Sequence, residues 1–177
     1  MILFGESIDA QKDMSNLKVV GIGGWAVSNN REDILRTYAL GSCVALILHH
    51  PMSRTMGLVH IVLPDPLCHV GKKHGKGYYA SSAVPMLQRE VCAAAGLSSS
   101  DSSGIIAKLV GGAAVIKIKN PFHFGERILR EILQTLHRLH IPVVKQDTGG
   151  SISRTVSLYI ESGDVLVKSP GTQKRPL

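Results

Sequence analysis

The sequence predicts a layered α/β (α+β) domain whose sheets are not purely parallel. Three observations carry that expectation: many short β-forming runs, only two stretches of helical periodicity, and an order that mixes them without strict alternation. The 177 residues fit one compact domain with a real core. We read residues 1–16 as a loose N-terminal arm, 17–168 as a single folded domain and 169–177 as a flexible C-terminal tail.

The elements follow in order. Residues 18–22 and 34–40 are rich in β-formers and read as strands. Residues 43–48 form a continuous apolar run, the pattern of a buried strand, although period alone does not separate it from a buried helix. Residues 49–54 look like a turn, and residues 57–63 form a further strand that Pro64 and Pro66 stop. Residues 83–95 carry apolar side chains at 84, 87, 91 and 94, a helical spacing. Ser81 or Ser82 can cap that helix, Pro85 falls in its first turn, and Gly96 ends it. A serine-rich connector over 98–104 leads to strands at 105–110 and 113–118 around Gly111 and Gly112. Residues 126–140 form the cleanest amphipathic helix, stopped by Pro142. Strands at 143–146, 154–160 and 165–168 complete the fold.

Composition narrows function. Hydrophobic residues make up 44% and charged residues 19%, which excludes a disordered chain. No apolar run approaches the length of a membrane-spanning helix, and no secretory signal is visible at the start, so we expect no membrane insertion. Three cysteines, an odd number without a CxxC, suit a reducing cytoplasm better than a disulfide framework. The net charge of +7 invites a nucleic-acid reading. The basic residues, however, cluster only in 71–77 and 173–177, without interleaved aromatics. Attraction to an acidic partner protein fits that distribution better than nucleic acid.

The informative pair is Cys43 and His60. A hairpin centred on Pro51 and Met52 places them directly opposite each other on one face. An imidazole there can take the thiol proton, lower the thiol pKa and create a nucleophile. Gly41 permits a tight turn before the strand, so amides near Ser42 can stabilise an oxyanion. A third group should orient the imidazole: Thr37 on the strand leading in, or else Asp65 or Asp147. Against this stands the plainer reading that a cysteine opening an apolar strand is a small hydrophobe and a strand histidine a structural residue. Cys92 reads as a core residue. Cys68, His69 and His74 lack a fourth zinc donor. Residues 21–26 formally match G-x-G-x-x-A, but no helix pattern follows.

On these residues the chain resembles the chemoreceptor glutamine deamidases of bacterial chemotaxis, the CheD family. The shared segments are Thr37-x-x-Leu40-Gly-Ser-Cys43, Gly57-Leu-Val-His60-x-Val-Leu-Pro64, Ala107-Lys-Leu-Val-Gly-Gly-Ala113, Gly125-Glu-Arg127, Asp147-Thr-Gly-Gly150 and Arg154-Thr-Val156. The resemblance implies stacked mixed β-sheets flanked by helices, as in deamidating-toxin cysteine hydrolases. It implies Cys43 as nucleophile, His60 as base and Thr37 as the residue orienting the imidazole. The implied reaction converts particular Gln side chains on the cytoplasmic helices of methyl-accepting chemoreceptors to Glu, releasing ammonia through a Cys thioester. No cofactor or metal is needed. Some family members bind an inhibitory CheC-type phosphatase, so a weakly active binding partner of that phosphatase or of a receptor is the alternative reading. Two positions depart from the family pattern: Ser81 stands where an acid is usual, and Ile128 where an Asn is usual.

Overall fold

A computed structural model describes residues 15–68, 74–115 and 123–177. Its elements run β1 (Leu17–Val19), β2 (Trp25–Ser28), β3 (Ile34–Leu40), β4 (Val44–His50), β5 (Thr55–Ile61), a 3-10 turn (Pro66–Cys68) and α1 (Ala80–Ala95). Then come β6 (Ile106–Gly111), α2 (Phe124–Arg138), β7 (Val143–Thr148), β8 (Arg154–Tyr159), β9 (Asp164–Lys168) and β10 (Arg175–Pro176). The expected arm falls almost wholly outside the described residues, as do His69 and much of the basic segment 71–77.

Among the described residues, ten strands form two five-stranded sheets, ordered β1-β3-β8-β9-β10 and β2-β5-β4-β6-β7. Each sheet is antiparallel except for one parallel pair, β1 with β3 and β6 with β7. The expected mixed, stacked sheets are therefore present. Strand alternation explains the stacking, because successive residues of β4 serve opposite layers. Ala45 and Ile47 pack with Leu35, Val156 and Leu158 of the other sheet. Val44, Leu46 and Leu48 pack instead with Leu87 and Val91 of α1 and Ile128, Ile132 and Leu136 of α2. That makes three layers: sheet, sheet, helices. Each fully buried Leu, Ile or Val contributes about 1.5–3 kcal/mol to holding them together.

Gly57 on β5 lets α1 approach. A Cβ there would lie 2.7 Å from a Val91 methyl and 2.9 Å from one of Leu87. Ile128, the departure from the family's polar residue, is fully buried in the same layer, where an apolar side chain meets no unsatisfied polar group.

Several local expectations change. β2 was missed because its four residues follow a glycine-rich stretch. Its first two residues, Trp25 and Ala26, end the stretch that formally matches a dinucleotide motif, and the strand forms a sheet edge pairing with β5. α1 begins three residues early, on Tyr79, with no side-chain cap; Ser82 turns its hydroxyl to the Lys76 and Tyr79 carbonyls instead. Pro85 therefore sits inside the helix rather than in its first turn. No strand forms over 113–115, where the Ala113 and Ala114 amides cross-link loops, and the remainder of that expected strand lies outside the described residues. The end of the chain, expected to be a flexible tail, supplies β10, which pairs with β9 through Arg175 and Pro176. Among the described residues no helix is long and apolar enough to cross a membrane.

Candidate active site

The β4–β5 hairpin turns through residues 51–54, one residue later than expected, with Arg54 in the left-handed region at φ 53°. Ala45 therefore faces His60, and Val44 faces Ile61. Direct opposition of Cys43 and His60 is thus corrected to a diagonal relation. The offset is two positions, so the shared face survives, whereas an offset of one would have lost it. Diagonal neighbours sit roughly 7–8 Å apart between Cα atoms, a gap that two inward-pointing side chains shorten. Cys43 lies just before β4, half-buried, and packs against the cluster between the sheets. His60 is buried within that interface.

Thr37 reaches His60 from the other sheet. Its Oγ1 lies 2.8 Å from His60 Nδ1 and 2.8 Å from the Val20 carbonyl oxygen. A hydroxyl has one proton, and a carbonyl oxygen can only accept it. Thr37 therefore donates to Val20 and accepts from Nδ1–H. That fixes the tautomer with Nε2 unprotonated, and Nε2 is buried with no hydrogen-bond partner among the described residues. A buried, unpaired ring nitrogen carrying a lone pair is a base waiting for a proton. The His60 backbone is clamped as well: its amide donates to the Gly24 carbonyl, and its carbonyl accepts from the Gly23 amide.

The two rival orienting groups are otherwise engaged. Asp147 pairs with Arg154 at 2.9 Å and also with Arg175. Asp65 accepts from the Leu67 amide.

Burial pushes the Cys43 thiol above its ordinary pKa, with its own backbone amide pulling the other way. Burial also lowers the His60 imidazole. Burial thus favours the uncharged form of each group, a thiol and a neutral imidazole.

Gly41 and Ser42 line a cleft of about 570 Å³, together with residues 112–115, the first turn of α2 and Thr148, Gly149 and Gly150. The Gly41 carbonyl accepts from the Ala113 amide at 2.8 Å, and the Cys43 carbonyl from the Gly112 amide at 2.8 Å. A Cβ on Gly111 would sit 2.3 Å from the Cys43 carbonyl oxygen, so only glycine fits there. Sequence reasoning missed this cradle and the Val20 carbonyl; the clustered glycines were its visible signal. Cys92 is buried and its thiol donates to the Asp101 carbonyl at 3.0 Å, a structural role. Among the described residues no three His, Cys, Asp or Glu side chains converge as metal ligands.

The family model described as "CheD chemotactic sensory transduction" matches residues 62–169. A relative from Syntrophotalea carbinolica, named "Probable chemoreceptor glutamine deamidase CheD", is 37% identical over 89% of this chain and 96% of its own. This chain belongs to the CheD family. The Thermotoga maritima member, named "Chemoreceptor glutamine deamidase CheD", is 33% identical over 87% of this chain and 92% of its own. Thr37, Cys43 and His60 lie outside the residues that the family model matches. The Bacillus licheniformis hypothetical protein YfiH, a solved structure, aligns with a TM-score of 0.43 at 10% identity. It matches 72% of this chain, which spans about half of that protein's length.

Proposed function

We propose that this CheD-family chain is a cysteine-dependent protein-glutamine deamidase, acting on Gln side chains of chemoreceptor cytoplasmic helices in chemotaxis. Residues 17–168, with β10 added to their outer sheet, serve as its single catalytic domain, in the cytoplasm. The observation that carries the reading is His60, held by Thr37 in one tautomer with Nε2 free on the face that Cys43 shares. The names of the CheD relatives supply the substrate class.

The chemistry follows from the geometry. Nε2 takes the Cys43 proton as the sulfur attacks the Gln side-chain carbonyl carbon, forming a C–S bond and a tetrahedral oxyanion. Amides around Gly41 and Ser42 at the cleft edge receive that charge. The imidazolium returns its proton to the departing nitrogen, the C–N bond breaks, and ammonia leaves a thioester. Water, deprotonated by Nε2, then attacks; the C–S bond breaks, giving Glu and the restored thiol. Because burial favours the uncharged form of both Cys43 and His60, proton transfer accompanies attack in this scheme.

One observation favours a second reading. A thiol whose pKa burial raises is weakly reactive at neutral pH. That suits a protein whose main role is to bind a receptor or a CheC-type phosphatase, with slow turnover.

The experiment is incubation with chemoreceptor cytoplasmic fragments, followed by mass spectrometry of individual glutamines. Site-specific conversion to Glu that disappears in Cys43→Ala supports the deamidase. Conversion undiminished in that variant removes Cys43 from the mechanism, and binding without conversion favours the second reading.

A further inference from the structure

We propose that Arg154 is a positioning residue for this deamidation, acting through backbone hydrogen bonds on the turn that carries the nucleophile. The inference rests on the deamidase reading and adds to it a group far from the thiol in sequence.

The cleft wall beside Cys43 is made of segments with little stiffness of their own. Gly111, Gly112, Gly149 and Gly150 all have positive φ, between 70° and 117°. Glycine supplies these conformations at no steric cost and surrenders them as readily. Something outside the glycines must hold them, and the Arg154 guanidinium is placed to do so. Its Nη1 donates to the Gly149 carbonyl at 2.7 Å and to the Ile152 carbonyl at 3.1 Å. Its Nη2 donates to Asp147 Oδ1 at 2.9 Å. One planar fork, only 10% exposed, thus ties both ends of residues 147–152, a task a lysine's single ammonium cannot copy.

From that loop the connection to the nucleophile is short. The Gly149 amide donates to the Gly111 carbonyl, and the Gly150 carbonyl accepts from the Ala114 amide, each at 2.8 Å. The Gly112 and Ala113 amides then hold the Cys43 and Gly41 carbonyls. A peptide unit is planar, with its carbonyl and its amide pointing opposite ways. Fixing the Gly41 carbonyl therefore fixes the direction of the Ser42 N–H, an amide at the cleft edge next to the nucleophile. Arg154 sets the aim of that donor through the backbone, while the Cys43 thiol and the His60 ring lie outside its own hydrogen bonds.

This separation defines the test. Alkylation of Cys43 by iodoacetamide needs the sulfur but develops no oxyanion, whereas deamidation needs both. In the full-length chain, Arg154→Lys and Arg154→Met are each expected to lower kcat about 10- to 100-fold, on the scale of a misplaced oxyanion donor. KM and the alkylation rate of Cys43 should stay at the wild-type values. Backbone amides of Gly112 and Ala113 should exchange hydrogen faster in both variants. A wild-type kcat in Arg154→Met, or alkylation that falls in step with kcat, would overturn the proposal. If wild-type protein converts no glutamine, the deamidase reading fails, and the exchange rates still judge the staple. Unchanged exchange at Gly112 and Ala113 overturns it.

Discussion

The Thr37 hydroxyl joins the two sheets at the site, donating to the Val20 carbonyl while its oxygen accepts Nδ1–H of His60, both at 2.8 Å. Thr37 and Val20 belong to the outer sheet and its lead-in, and His60 to the middle sheet. The base is therefore oriented across the seam of the sandwich. Replacing Thr37 with Val keeps the shape and removes the acceptor, leaving Nδ1–H buried and unpaired. We expect kcat to fall on the order of 100-fold, the scale of a mis-set catalytic histidine, and Thr37→Ser to restore most of it. Steady-state deamidation of a receptor fragment measures this; full activity in Thr37→Val would mean another group sets the tautomer.

The resting charge state predicts two pH profiles. Burial raises the Cys43 thiol, so alkylation by iodoacetamide should climb through and beyond the ordinary thiol range. The neutral-pH plateau typical of a thiolate–imidazolium pair should be absent. Burial lowers His60, and His60 must be neutral to act as base. The acid limb of kcat/KM should accordingly fall below the ordinary imidazole value near 6.5. A plateau of thiol reactivity at neutral pH would contradict the uncharged pair.

Two glycines should fail in different ways when changed to alanine. At Gly111, φ is 117° and the added Cβ meets the Cys43 carbonyl oxygen at 2.3 Å, so backbone strain lands on the nucleophile's own peptide. We expect a loss of about 2–4 kcal/mol in stability and a kcat reduced in the fraction that still folds. At Gly57 the added methyl meets Val91 and Leu87 side chains, which can shift. There we expect about 1–3 kcal/mol of overpacking cost with kcat per folded molecule unchanged. Urea unfolding together with activity per active-site thiol separates the two; equal effects on kcat would refute the distinction.

How much of this was legible in the sequence depended on whether the signal was local. Strand β3 was read to the residue, because its β-forming run is bounded on both sides. The shared face of Cys43 and His60 was also legible, since parity survives a two-residue slip. Their diagonal offset was not, because the hairpin turn uses residues 51–54 with a left-handed Arg54 that no turn motif announced. Thr37 emerged among three candidates, but its pairing with Val20 depends on the parallel β1–β3 contact. The cleft was invisible for the same reason. Its walls come from four segments far apart in the sequence, which no local pattern brings together.

His49 carries the last prediction, one of acid stability. It sits on β4 with Gly163 backed against its ring, and its Nδ1 is buried without a hydrogen-bond partner among the described residues. Burial, with Lys108 and His50 nearby, lowers its pKa to about 4. An unfolded chain binds a proton on this imidazole near pH 6.5, while the folded chain refuses it until near pH 4. The neutral ring's contribution is thus complete above pH 6.5 and is lost progressively as pH falls toward 4. After allowance for partial exposure, the loss amounts to about 2 kcal/mol. His60 titrates with the same sign and adds its own share. His49→Gln, which cannot titrate, should therefore flatten the decline in unfolding free energy between pH 6.5 and 4 without abolishing it. Denaturant melts at half-unit pH intervals measure this, and parallel wild-type and variant curves would show that His49 is not the group whose protonation opens the fold.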